Sequence, residues 1–113
     1  MRRRSPVRRY AEAARRHAEG TKDDDPRRAN RAARELTRLW QQIRSADELR
    51  VELVDLLVDE DLGVRLWAAT HLLPIEPSRA EPTLEELCRE PGLLGFDARK
   101  VLEEWRAGRL REL

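Results

Sequence analysis

Apolar residues recur along this chain at intervals of three and four, and no stretch alternates apolar and polar positions for long, so the pattern predicts helices and no strand. Six helices are expected. The first fits Pro6 to about Glu19, with Ser5 as N-cap, Pro6 at the first helical position and Gly20 as the stop. Its stripe of Val7, Tyr10, Ala11, Ala14 and Ala18 carries little area, which predicts the most loosely held helix and frayed residues 1–5. Thr21 to Asp25 reads as a polar turn, and Asp25 caps a second helix from Pro26 to about Arg44. There Ala29, Ala33, Leu36, Trp40 and Ile43 share one side, with Ala32 and Leu39 beside them and Trp40 as the anchor.

Ser45 and Glu48 form an S-x-x-E pattern, which predicts a capping box for a third helix that turns back on the second. Leu49, Leu53, Val54, Leu56, Leu57 and Val58 are its expected buried set. Asp59-Glu60-Asp61 should turn the chain into a fourth helix, Leu62 to Leu73, apolar almost all round and so covered on more than one side. A fifth, Pro77 to about Arg89, should be irregular near Pro82, where a backbone bond is lost. The last covers about Leu93 to Arg106, with Leu94, Ala98, Val101, Leu102 and Trp105 inward and Gly108 as the stop.

The chain has 113 residues, 40% apolar and 40% charged, which fits a single soluble domain with one core and excludes a multidomain enzyme. No apolar run approaches the roughly 18 residues of a membrane span, and Met1 to Arg4 lack the apolar stretch of a secretory signal. A cytoplasmic protein without a membrane partner is expected. Cys88 is alone, so no internal disulfide or cysteine-based metal site can form. The 21 Arg against 2 Lys read as the codon usage of a GC-rich bacterial genome. Residues 1–44 hold 14 basic and 6 acidic side chains, whereas residues 45–113 hold 9 and 16, within a net charge of +1. Such an asymmetry can guide a charged partner or hold the two halves together.

Nothing in the sequence assembles a nucleophile with its base, a phosphate loop or a metal motif, so no catalytic residue, metal or cofactor is expected. Glu85-Glu86 and Glu103-Glu104 are adjacent, which on a helix points them about 100° apart. His17, on an Arg-rich helix, has no ligands at metal spacing. Trp67 and His71 stand at i and i+4 on the fourth helix, with Leu62, Leu66, Ala69 and Leu73 as the expected core face. They either pack inside the fold or present a Trp and a His to a partner. Arg27, Arg31, Arg34 and Arg38 follow spacings of 4, 3 and 4 opposite Leu36 and Trp40, as a solvated face or as one wall of a groove. The aligned positions of the last helix are Arg99 and Glu103.

A weak repeat links the two ends of the acidic half. Leu62-Gly63-Val64 matches Leu94-Gly95-Phe96 at an offset of 32, Ala69 and Leu73 align with Val101 and Trp105, and Leu53 and Leu56 align with Leu84 and Leu87 at 31. The run Val64 to Leu73 (VRLWAATHLL), then Pro77, Ala80, Leu84 to Leu87, Phe96 to Ala98, Leu102 and Glu104-Trp105 with Gly108, resembles an uncharacterised family of small bacterial α-superhelical domains, armadillo-type and similar to HEAT repeats. Asp61, Val64, Arg65, Ala68 and Ala69 carry the general HEAT-like D-x-x-V-R-x-x-A-A pattern; Gly63 and Pro82 depart from it. The resemblance covers residues 45–113, reaches weakly to Asn30, and implies antiparallel helix pairs in a short right-handed superhelix without implying a reaction.

The expected function is therefore a non-enzymatic protein-binding module that presents a helical groove, of the kind that serves as a bacterial immunity protein against a toxin domain. The alternative is nucleic-acid binding through the Arg-rich amino-terminal half. A HEAT-like base-repair enzyme would need a carboxylate in a cationic, Trp-lined groove. The groove itself would be lined by the second, fourth and sixth helices, with Arg27, Arg31, Arg34, Arg38, Trp67, His71, Arg99 and Glu103 as its contacts.

Overall fold

A computed structural model of the chain describes residues 5–110. The fold is all-α: six α-helices and one short 3-10 turn, with no strand among the described residues. The described residues fall into two compact units that meet between Asp55 and Leu56 in the chain.

The first unit is a helical hairpin with a short third helix against it: α1 (Pro6–Lys22), α2 (Pro26–Arg44) and α3 (Asp47–Val54). The Ser5 hydroxyl caps α1 by accepting from the Val7 N–H, and donates to the Glu52 carboxylate at 2.8 Å, which ties the start of α1 to α3. Ser5 is thus held rather than frayed; the other residues expected to fray, 1–4, lie outside the described ones. Gly20 does not stop the helix. It lies inside α1, where a Cβ would stand 2.8 Å from the Ala29 nitrogen, so its bareness lets α2 approach. The stop comes four residues later, where Asp24 adopts φ 54° and the N–H groups of Asp24 and Asp25 bond back to the Thr21 and Gly20 carbonyls. This is a Schellman closure with an aspartate in the left-handed position usually taken by Gly or Asn.

The small stripe of α1 does not leave it loose either. Val7, Tyr10, Ala11, Ala13 and Ala14 are all buried, because the alanines let the two helices come close and Tyr10 adds a large side chain to the core. Ala18, expected inward, is half-buried. Asp25 caps α2 as expected, accepting from the Arg28 N–H, and Leu36, Trp40 and Ile43 are fully enclosed. Ala33 lies at the margin.

The Ser45–Glu48 capping box does not form. Ser45 closes α2 in a right-handed conformation and donates its hydroxyl to the Gln41 carbonyl at 2.9 Å, which leaves Ala46 as the N-cap of α3 without a side-chain bond. After Val54 the chain tightens into a 3-10 turn, Asp55–Val58. With three residues per turn the helical phase is lost. Leu53 and Leu57 stay buried, Leu49, Val54 and Leu56 are half-buried, and Val58 faces solvent.

The second unit stacks α4 (Leu62–Leu72), α5 (Pro77–Leu87) and α6 (Gly92–Arg106), each against the others. Asp61 caps α4 through the Val64 N–H. As its all-round apolarity requires, α4 is buried on two sides: Val64, Ala68 and Leu72 on one, Ala69 and Leu73 on the other, with Leu62 and Leu66 half-covered. Pro82 does not disturb α5, which is continuous. Both Pro82 and Ser78, whose carbonyl loses its helical donor, are exposed, so water can serve that carbonyl. In α6, Ala98 and Leu102 are buried, while Leu94, Val101 and Trp105 are half-buried. Gly108, at φ 74°, ends α6 as expected, in a second Schellman closure: Gly108 bonds to the Trp105 carbonyl and Arg109 to that of Glu104.

Candidate functional site

Three groups of predicted contact residues sit on three helices, and the structure treats them differently. Arg27, Arg31, Arg34 and Arg38 are all exposed on α2. At 100° per residue they lie within an arc of about 60° and span about 16 Å along the helix. None of their side chains makes an ion pair or hydrogen bond among the described residues. The flanking positions on that side, Asn30, Thr37, Gln41 and Gln42, are neutral and exposed. The one acid of α2, Glu35, borders the row, four residues after Arg31 and three before Arg38, and pairs with Arg16 of α1 at 2.9 Å. Like charges at three- and four-residue spacing cost a helix about 0.2–0.5 kcal/mol per pair. The row contains three such neighbours, and the acid beside them, Glu35, is engaged by Arg16 instead.

Other arginines of the first unit are engaged. Arg28 reaches Glu19 at 2.5 Å and Asp23 at 3.7 Å, and Arg50 pairs with Asp47. A polar cleft of about 290 Å³ between α1 and α2 is lined by Arg16, Asp25, Arg28, Arg31, Ala32 and Glu35. Its charges largely neutralise each other through the pairs just described, and Arg31 is its free cation.

On α4, Trp67 and His71 face each other with ring centroids 5.8 Å apart. His71 is only 3% exposed and Trp67 half-buried, so the imidazole cannot serve as a surface contact. The reason is rotational: His71 falls on the same side of α4 as buried Val64 and Ala68. Burial strips water from the imidazolium and lowers the His71 pKa to about 4, so the ring is neutral at pH 7. Tyr10 is the corresponding buried group of the first unit, its phenol pushed up by loss of water.

Arg99 and Glu103 are exposed on α6. Arg99 already has structural work: its guanidinium donates to the Cys88 carbonyl at 2.8 Å, serving the open end of α5. The same face carries what the sequence reading missed. Leu93 is 62% and Phe96 50% exposed, and with Arg99, Lys100 and Glu103 they occupy about a third of the α6 circumference. The repeat sets Phe96 against Val64, which is buried, but the helical phase of Ala98, Leu102 and Trp105 places Phe96 on the opposite side. Gly95 forces that phase, since a Cβ there would lie 1.9 Å from the Glu90 carbonyl oxygen. Beside this face Cys88, Arg99, Leu102, Glu103, Arg106 and Ala107 line an open cleft of about 430 Å³.

The remaining charges of the second unit are mostly paired. Arg106 bridges Glu81 at 3.6 Å and Glu85 at 3.1 Å, and Arg109 forks onto Glu104 with bonds of 2.8 and 3.2 Å. The Arg109 bond holds the Glu104 carboxyl below its ordinary pKa. Arg65 donates to the Asp59 carbonyl. Among the described residues no group of His, Cys, Asp or Glu could hold a metal ion, and no helix is long and apolar enough to cross a membrane. No protein-family model, curated protein or solved structure matches the chain.

Proposed function

We propose that this chain is a non-enzymatic protein-binding module, that the outer face of α6 is its contact surface, and that it acts as a cytoplasmic immunity-type protein which covers a toxin domain. The observation that carries the reading is the exposure of Leu93 and Phe96 on one face, bordered by Arg99, Lys100 and Glu103. An apolar centre with a charged rim is the composition of a protein interface, and burying each such side chain contributes about 1.5–3 kcal/mol. The face is rigid. Gly95 seats the first turn of α6 on the Glu90 carbonyl, and the Schellman closure at Gly108 fixes the other end. The sequence resemblance to small bacterial HEAT-like domains is in keeping with a role in binding rather than catalysis.

The test is co-expression with the products of adjacent genes. A 1:1 complex is expected, lost on Phe96→Glu while far-UV circular dichroism and the thermal midpoint stay unchanged. Absence of any complex, or a complex indifferent to both Phe96→Glu and Leu93→Glu, would overturn the assignment.

A further inference from the structure

The outer face of α2 differs from that of α6 in having no apolar side chain at all. Across the row of Arg27, Arg31, Arg34 and Arg38 and its neutral neighbours Asn30, Thr37, Gln41 and Gln42 there are only guanidinium, amide and hydroxyl groups, and the one acid at its edge, Glu35, is taken up by Arg16. A protein partner would find nothing there to desolvate, whereas a polyanion needs only the charge and the hydrogen-bond donors. We infer that this face is a second binding surface, separate from the one on α6, and that its occupant is the phosphate backbone of a nucleic-acid duplex.

Four features support the assignment. Among the described residues the guanidinium groups have no partner, so binding displaces no ion pair there. They stand in a straight row about 16 Å long, which offers donors at intervals of about 4.5 and 6 Å to successive phosphates. Each can bond two phosphate oxygens at once. The helix beneath them is held by the Asp25 cap and by fully buried Leu36, Trp40 and Ile43, so the row is set before the ligand arrives. The near-neutral total charge does not oppose this, because at 0.1 M salt a field reaches only about 10 Å and the local row decides. Amide and hydroxyl neighbours can add phosphate contacts but read no base, so the interaction should be indifferent to sequence.

The probe is a fluorescein-labelled 20-base-pair duplex of arbitrary sequence, titrated with the full-length protein by fluorescence anisotropy from 20 to 200 mM NaCl. Four phosphate contacts predict that log K falls against log salt with a slope of about −3.6, and Arg31→Ala with Arg34→Ala should reduce its size by about 1.8. All these side chains are exposed, so circular dichroism of the variants should match the parent. Phe96→Glu should leave the titration unchanged, which separates this surface from the one on α6. No binding at 20 mM salt, or a slope unaltered in a variant lacking all four arginines, would overturn the inference. So would competition by poly-glutamate as effective as that by unlabelled duplex of equal charge, since the face would then be a general carboxylate reader.

Discussion

On α2 four arginines project from one face with no carboxylate paired to them among the described residues, while in the second unit Arg106 and Arg109 are taken up by Glu81, Glu85 and Glu104, and Arg99 and Arg65 by backbone carbonyls. The same residue type therefore does two kinds of work. In the second unit guanidinium groups close helix ends and staple α5 to α6; in the row of Arg27, Arg31, Arg34 and Arg38 they add repulsion to one another. The apolar side chains show the reverse: the outer face of α2 has none, and that of α6 exposes Leu93 and Phe96. A charge that strains its own helix and an apolar residue left in water are both costs to the isolated chain, and each points to a different kind of ligand.

The sharpest way to break the comparison is at the two glycines that seat these helices. Gly95→Ala would drive a Cβ into the Glu90 carbonyl, an immovable backbone atom 1.9 Å away, and should cost about 3 kcal/mol in urea unfolding, the upper end of overpacking effects. Gly20→Ala meets the Ala29 nitrogen at 2.8 Å, so a small shift of the hairpin relieves it and about 1–2 kcal/mol is expected. If the order is reversed, the α6 face is not fixed by Gly95.

A pH series tests the next largest effect. Because the His71 pKa is lowered to about 4 from 6.5, the unfolded chain binds a proton that the folded chain refuses as the pH falls between these values. Stability should thus be undiminished by this group above pH 6.5 and fall by about 2 kcal/mol between pH 7.5 and pH 5, which the His71→Leu variant should not show. An equal fall in both proteins would mean that the imidazole is solvated after all. Smaller still, Asp24→Gly should raise stability by about 1 kcal/mol, since Asp24 holds a left-handed conformation that glycine adopts without strain. No gain would show that the aspartate is held there by something the backbone closure does not explain.

The helices were legible where apolar spacing and capping chemistry agreed. Asp25, Pro26 and the Leu36–Trp40–Ile43 stripe bound α2 at both ends, and Asp61 and Gly108 mark a start and a stop that the structure keeps. What could not be read was competition between neighbours. Ser45 could cap α3 or close α2, and only the approach of the two helices decides; Gly20 could end α1 or admit α2, and Ala29 on the other chain segment settles it. For the candidate site, the Arg row was visible as a spacing, but whether any acid would meet it depended on the hairpin. His71 could be read either as packed or as presented, and the helical phase turns it inward beside Val64; Phe96 was matched to Val64 in the repeat and not singled out, whereas it faces outward opposite Ala98.

The contrast between unpaired and paired arginines is tested most directly by comparing Arg34→Glu with Arg106→Glu in urea unfolding at low salt. The first replaces a repelled cation with an acid between Arg31 and Arg38 and should raise stability by about 0.5 kcal/mol. The second sets a third carboxylate against Glu81 and Glu85 and should lower it by about 1 kcal/mol. Both differences should shrink at 1 M salt. Two changes of the same sign at low salt would contradict the account.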